Sequence, residues 1–328
     1  MTLTHEQGDQ TIGNVVVTRE ALEASLTTLQ GEIEDPRAGI LGPRSIAWRL
    51  GGELATFVGG GRAALLQLAH PLVAYAIDQH SQTRADVAGR FQRTFRSVFA
   101  MVFGDLDAAF RAARRVHAIH AQIHGTIPER TGGWIAGTPY HANDADTLRW
   151  VHATLVDTIL VVREQLDGPL PDAIKDGYVI EMNRFGALFG IPSSLLPGSW
   201  LAHDSYMRAM VASDRLAVAP CAREMAQFLI GRAGAAQPPL GRIAEAVTAL
   251  LLPPHLAAQF ELRPTPRWTH VGLGAFGLAL RRMPRVLREL PARREARRRL
   301  AGSPPGRIGA WAERRLFGLT RHVTRTGR

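Results

Sequence analysis

The stretch "RVHAIHAQIHG" (residues 115–125) holds three of the chain's 12 histidines within eight positions. From His117 the next two lie three and seven residues on, so in an α-helix His117, His120 and His124 fall within about 60° of one another. Imidazoles gathered on one face can ligate a metal, relay protons or simply crowd a surface. Three other stretches carry groups of comparable interest. In "FVGGGRAALLQLAHPLVAYAIDQHS", Gly59, Gly60, Gly61 and Arg62 precede a helical pattern, which puts exposed backbone N–H donors beside a guanidinium fork. In "GRFQRTFRSVFAMVFG", Arg90, Arg93 and Thr94 share a helical face beside the stripe Phe91, Phe95 and Phe99, as if lining a pocket for an apolar ligand with one charged edge. In "LRWVHATLVDTIL", His152 and Asp157 lie on a strongly apolar helix. Each also has a plain reading as a tight turn, a solvated face or a core histidine, and spacing alone leaves both open.

Exclusions narrow the chemistry. The single cysteine, Cys221, rules out an internal disulfide and any Cys-rich zinc or iron–sulfur site, which leaves histidine, carboxylates and tyrosine as ligands. Three metal motifs are absent: the Glu-x-x-His pair of di-iron bundles, the His-Glu-x-x-His zincin motif and the His-x-Glu with a Cys pair of deaminases. His203-Asp204 is a lone dipeptide. What survives is a site with histidine as its main metal ligand, and haem needs only one such ligand from the protein.

The elements that must position these groups read as helices. At 328 residues, 46% apolar and 21% charged, the chain has the composition of a globular protein. Alternating β-type segments hardly occur. Helical periodicity covers 19–31, 44–56, 62–79, 83–103, 106–124, 144–165, 171–189, 199–214, 219–232, 239–251 and 268–299, broken at Gly/Pro clusters such as "GGWIAGTP" and "LLPPH". The expectation is an all-α protein with a single core of about ten helices over 41–255. An N-terminal extension (1–40) precedes it, and a Pro-containing, Arg-rich C-terminal appendage (256–328) follows.

The formal charge of +10 is local: residues 281–328 hold 15 arginines and three glutamates, leaving 24 basic and 26 acidic groups for residues 1–280. The basic segment "ALRRMPRVLRELPARREARRRL" interleaves Leu, Met and Val with arginine, a pattern suited to an anionic membrane or an acidic partner. Nucleic acid ranks last, because no nucleic-acid-binding fold is recognisable and aromatics are sparse there. The start, "MTLTHEQGDQTIGN", lacks a basic region followed by an apolar run, and no charge-free stretch is long enough to cross a bilayer, so a cytoplasmic protein, peripheral to membranes at most, is expected.

Taken together, "GGGRAALLQLAHPLVAYAIDQHS", "RFQRTF", "RVHAIHAQIHG", "WVHATLVDT" and "YVIEMNRFGALFGIP" resemble, in sequence and order over roughly 44–255, the oxygenase family of the rubber oxygenases (latex-clearing proteins) and the mycophenolic acid pathway oxygenase. The resemblance implies an all-α, partly globin-like fold that binds haem b and uses O2 on an apolar, alkene or terpenoid substrate. By similarity the histidine of "H-x-x-[VI]-x-G", His120, is the proximal iron ligand. Arg90, Arg93 and Thr94 correspond to the family's distal Arg-x-x-[Lys/Arg]-Thr pattern, and His152 to another recurrent family histidine, supporting or structural; Arg62, read from the glycine stretch it follows, is taken as a further cofactor-binding residue. Two departures follow. Arg93 stands where the rubber enzymes have a lysine able to coordinate iron, and a guanidinium stays protonated. The family's distal glutamate falls near Ala74, with no carboxylate beside it. A non-catalytic haem- or lipid-binding module, drawn to anionic membranes by residues 281–328, is the alternative.

Overall fold

The longest helix has the clearest sequence logic. Asp144 accepts hydrogen bonds from the backbone N–H of Thr147 (2.8 Å) and from its hydroxyl (2.6 Å), capping α7 (Ala145–Asp167), and Gly168 at φ 90° ends it. Thirteen of its 23 residues are buried, on several faces. A helix buried all round is an axle about which others pack. The computed structural model of the protein describes residues 15–80, 87–232 and 237–303, without the side chains of 87–93.

Around α7 the described residues form fourteen further α-helices and one small hairpin. On one side lie α1 (Arg19–Glu32), α2 (Ile46–Gly51), the hairpin of α5 (Val87–Phe103) and α6 (Leu106–His120), and α8 (Asp172–Ala187). They enclose a core that includes Leu26, Ile40, Met101, Phe110, Leu160 and Phe185. On the other side α3 (Gly60–Leu68), α4 (Pro71–His80), α9 (Trp200–Ala212), α10 (Pro220–Leu229) and α12 (Pro254–Gln259) enclose Leu66, Tyr75, Met207, Leu256 and Phe260. Trp150 of α7 bridges to this side, its indole donating to the Leu66 carbonyl at 3.1 Å. The remaining helices are α11 (Pro239–Leu251), α13 (Trp268–Arg282), α14 (Arg285–Arg288) and α15 (Pro291–Leu300). The hairpin pairs β1 (His124–Thr126) antiparallel with β2 (Pro139–His141), His124 opposite His141.

The all-α expectation holds, with more and shorter helices than the periodicity gave. The single helix read over 62–79 divides at Pro71, which opens α4 after a turn at Ala69–His70. The one read over 268–299 becomes α13, α14 and α15, with Pro284 and Pro291 at the breaks. The basic segment, through residue 303, is docked on the core. Arg285 and Arg297 each donate to Glu289 (2.8 and 3.0 Å), Arg299 donates to the Phe103 carbonyl (2.9 Å), and Arg293 and Ala296 are buried. Residues 304–328 and 1–14 lie outside the described residues. Among those described, no helix is long and apolar enough to cross a membrane.

Candidate functional site

Helices α5 and α6 are joined by Gly104 and Asp105, the latter capping α6 through the Ala108 N–H at 2.7 Å. An antiparallel hairpin brings the start of its first helix beside the end of its second. Residues 90–94 therefore stand at the end of the hairpin that carries His117 and His120. The end of α4 arrives at the same place: Gln79 donates to the Thr126 carbonyl (3.0 Å), and the His80 ring lies 3.0 Å from the His124 carbonyl. Sequence segments read as separate motifs thus converge on one corner of the fold. Thr94 is exposed, while the side chains of Arg90 and Arg93 lie outside the described residues.

The three histidines have different surroundings there. His117 Nε2 meets the Val17 carbonyl at 2.9 Å, and Asn143 donates to the His117 carbonyl at 3.1 Å. His124, exposed on β1, stacks on His141 with ring centroids 6.1 Å apart. Burial, then the neighbouring His124, lowers the His141 pKa below the usual histidine value. His120, the last residue of α6, is half-buried, and its Nδ1 is shut away from solvent. A proximal haem ligand needs one ring nitrogen held on the protein side and the other presented to iron. His120 keeps Nδ1 inside the protein, and the Val17 carbonyl takes up His117 Nε2. Among the described residues no three His, Cys, Asp or Glu side chains gather as a metal cage, a condition haem does not impose. Ala74 is fully buried, and the next carboxylate along α4 is Asp78, one turn further on.

Arg62 and His152 lie elsewhere, in the packing around α7. Arg62 is 6% exposed and donates to the Leu251 carbonyl (2.8 Å), Thr158 Oγ1 (2.8 Å) and Asp157 Oδ2 (2.6 Å), tying α3, α7 and α11 together. Burial pushes the Asp157 carboxyl up, but the adjacent His203 ring and the Arg62 charge outweigh it and hold the group ionised below the usual carboxylate range. His203, buried and stacked on Trp200, places Nε2 3.8 Å from Asp157 Oδ1. His152 Nε2 meets the Met182 carbonyl at 3.1 Å, and burial together with the nearby His203 drives its pKa down to about 3, so the ring is neutral. A void of about 10 Å³, enough for one water, lies between Arg149, His152, His203 and Tyr206. Spacing alone missed this network, because Asp157, Arg62 and His203 sit on three helices far apart in sequence. The five-residue step from His152 to Asp157 was its one visible trace.

A family model described as "ER-bound oxygenase mpaB/B'/Rubber oxygenase, catalytic domain" matches residues 48–289. The chain belongs to this family. The match takes in all five segments named above and runs on through α11, α13 and α14. Neither the curated proteins nor the solved structures contain a match to the chain. Membership in an oxygenase family gives the class of chemistry, with O2 and an organic substrate as reactants, and leaves the cofactor, any ligand to it and the substrate to be argued from the residues.

Proposed function

We propose that the protein is a haem b-dependent oxygenase in which His120 is the proximal ligand, acting with O2 on an apolar, alkene- or terpenoid-type substrate. The observation that carries this reading is the convergence of the α6 end, bearing His120, with the 90–94 stretch of α5 in a chain of this oxygenase family. When bound, haem b supplies the iron at which O2 is activated. The chain supplies the rest. His120 holds the cofactor through one ring nitrogen, with the other kept inside the protein. Arg90, Arg93 and Thr94 act as donors on the reacting side, and Arg93 cannot serve as an iron ligand because its guanidinium keeps its proton. The apolar stripe of α5 packs inward, Phe95 and Phe99 lying against Phe57 at 5.4 and 6.4 Å, and so fixes the helix that carries residues 90–94. In this proposal Arg62 and His152 support α7 and do not touch the cofactor.

The test is O2 consumption by the hemin-loaded full chain with acyclic terpenes, with ¹⁸O2 used to count the oxygen atoms in the product. Labelled product that falls at least tenfold in Thr94→Val supports the reading, and turnover without ¹⁸O incorporation contradicts it. A second reading, a module held at anionic membranes, is favoured by a charge pattern: residues 262–288 contain six arginines and no acidic residue. It predicts binding of the full chain to vesicles containing phosphatidylserine that falls in the triple variant Arg263→Gln, Arg267→Gln, Arg282→Gln. Equal binding in that variant removes it.

A further inference from the structure

On the side of α3 away from the Arg62 network, an open groove of about 850 Å³ runs between the 3₁₀ turn at 54–59, α3, the end of α10, α11 and α13. None of its lining residues comes from α5, α6 or the β-hairpin that form the His120 corner, and nothing said about it depends on haem. Its size lies within the range of pockets that take organic ligands. The walls come from residues such as Phe57, Leu65, Val247, Leu273 and Phe276, and none of the lining residues is charged. At the lip, Leu240 is 76% and Trp268 55% exposed, large apolar side chains left in water beside the groove. Two glycines of α3 shape the floor. A β-carbon at Gly61 would run into the Thr248 side chain, so α3 and α11 approach closely there, while one at Gly60 would meet nothing within 4 Å and would enter the groove.

Two threonines, Thr248 and Thr269, interrupt the apolar lining, and the second is the informative one. Thr269 lines the groove from α13, is 1% exposed, and its Oγ1 is buried with no hydrogen-bond partner. A buried hydroxyl left unpaired is costly, so such atoms mark places where a partner arrives. The uncharged lining disfavours a charge seated within the groove, since burying an ion there without a counter-charge is costly. We infer that this groove is a binding site for a neutral, elongated lipid carrying one hydroxyl or carbonyl group, its chain along the apolar walls and its polar group paired with Thr269.

The experiment is displacement of the neutral dye Nile red from the purified full chain by farnesol, and by farnesene, which matches its carbon skeleton without the hydroxyl. Native mass spectrometry supplies the stoichiometry. The expected result is saturable displacement with one farnesol per chain and farnesene weaker by about threefold to tenfold, the worth of one hydrogen bond. Thr269→Val, which keeps the shape and removes the hydroxyl, should bring the two ligands to parity. Ala244→Trp, at an exposed lining position of α11, should abolish displacement while leaving the circular dichroism melting curve unchanged. Absence of saturable farnesol binding overturns the inference. So do full binding by Ala244→Trp, and a farnesol preference that persists in Thr269→Val. A concentration-dependent dimer that farnesol does not dissociate assigns the face to a second copy of the chain, and equally overturns it.

Discussion

Acid should destabilise this protein well above the range in which carboxylates titrate, through two histidines. His70 and His152 are both buried, and burial, reinforced by Arg215 near the first and His203 near the second, holds each at about 3. In the unfolded chain each ring takes up a proton near the ordinary value of about 6.5. Below that value the unfolded state binds more protons than the folded one, so stability falls with pH and the loss continues until the folded pKa is reached. Each ring therefore contributes a loss of about 1.4 kcal/mol at pH ~5.5 relative to pH ~7.5, and the two together about 3 kcal/mol. The result does not depend on how far below 5 the folded values lie. Asp157 has the opposite sign. Its lowered pKa stabilises the fold above the unfolded carboxylate value near 4 and loses that contribution only as pH falls further, so it is silent in this window. His141, also lowered, adds a smaller slope in the same direction as the buried pair.

The assay is urea unfolding followed by far-ultraviolet circular dichroism at the two pH values, for the wild type and for the double variant His70→Leu, His152→Leu. At His70 both ring nitrogens are buried without partners beside Trp134, so leucine there should be neutral or stabilising. At His152 the lost bond to the Met182 carbonyl should cost about 1 kcal/mol at either pH. The double variant should keep less than about 1 kcal/mol of the pH-dependent loss. Wild-type stability that is flat across the window, or a dependence of equal size in the variant, would refute the reasoning.

Two further outcomes follow from the same packing. Arg62→Leu leaves Asp157 buried without its counter-charge and should cost about 3–5 kcal/mol in urea unfolding, most of it recovered in the double variant Arg62→Met, Asp157→Leu; a loss under about 1 kcal/mol for the single variant contradicts the assignment. Glu289→Gln removes the 5%-exposed acceptor of Arg285 and Arg297, so trypsin should cut within residues 285–299 about tenfold faster than in the wild type, and an unchanged cleavage pattern would show that Glu289 does not hold α15 down.

The helical class was legible because periodicity is a local property, and α6 and α7 also announce their starts through Asp105 and Asp144. Helix breaks were less legible. At Pro71, Pro284 and Pro291 an apolar pattern continues across the break, so the eye follows the stripe where the ring stops the helix. The hairpin of His124–Thr126 and Pro139–His141 escaped notice because three-residue strands, one containing Gly and the other Pro, carry no alternation to read. At the site, types and spacing picked out His117, His120 and His124 as a group, but only the surroundings separate them: the Val17 carbonyl takes one and the His141 ring another. The joining of Arg62, Asp157 and His203, and the groove beneath Trp268, are long-range contacts between helices, and nothing local encodes them.

The central claim is that His120 ligates haem, and an absorption spectrum of the purified full chain with stoichiometric hemin, recorded before and after dithionite reduction, tests it most directly. The account predicts a protein-specific Soret band that shifts on reduction, is retained in His117→Ala and is lost in His120→Ala, while the helical circular dichroism of both variants persists. Equal haem content in His120→Ala, or no protein-specific band in the wild type, would contradict it.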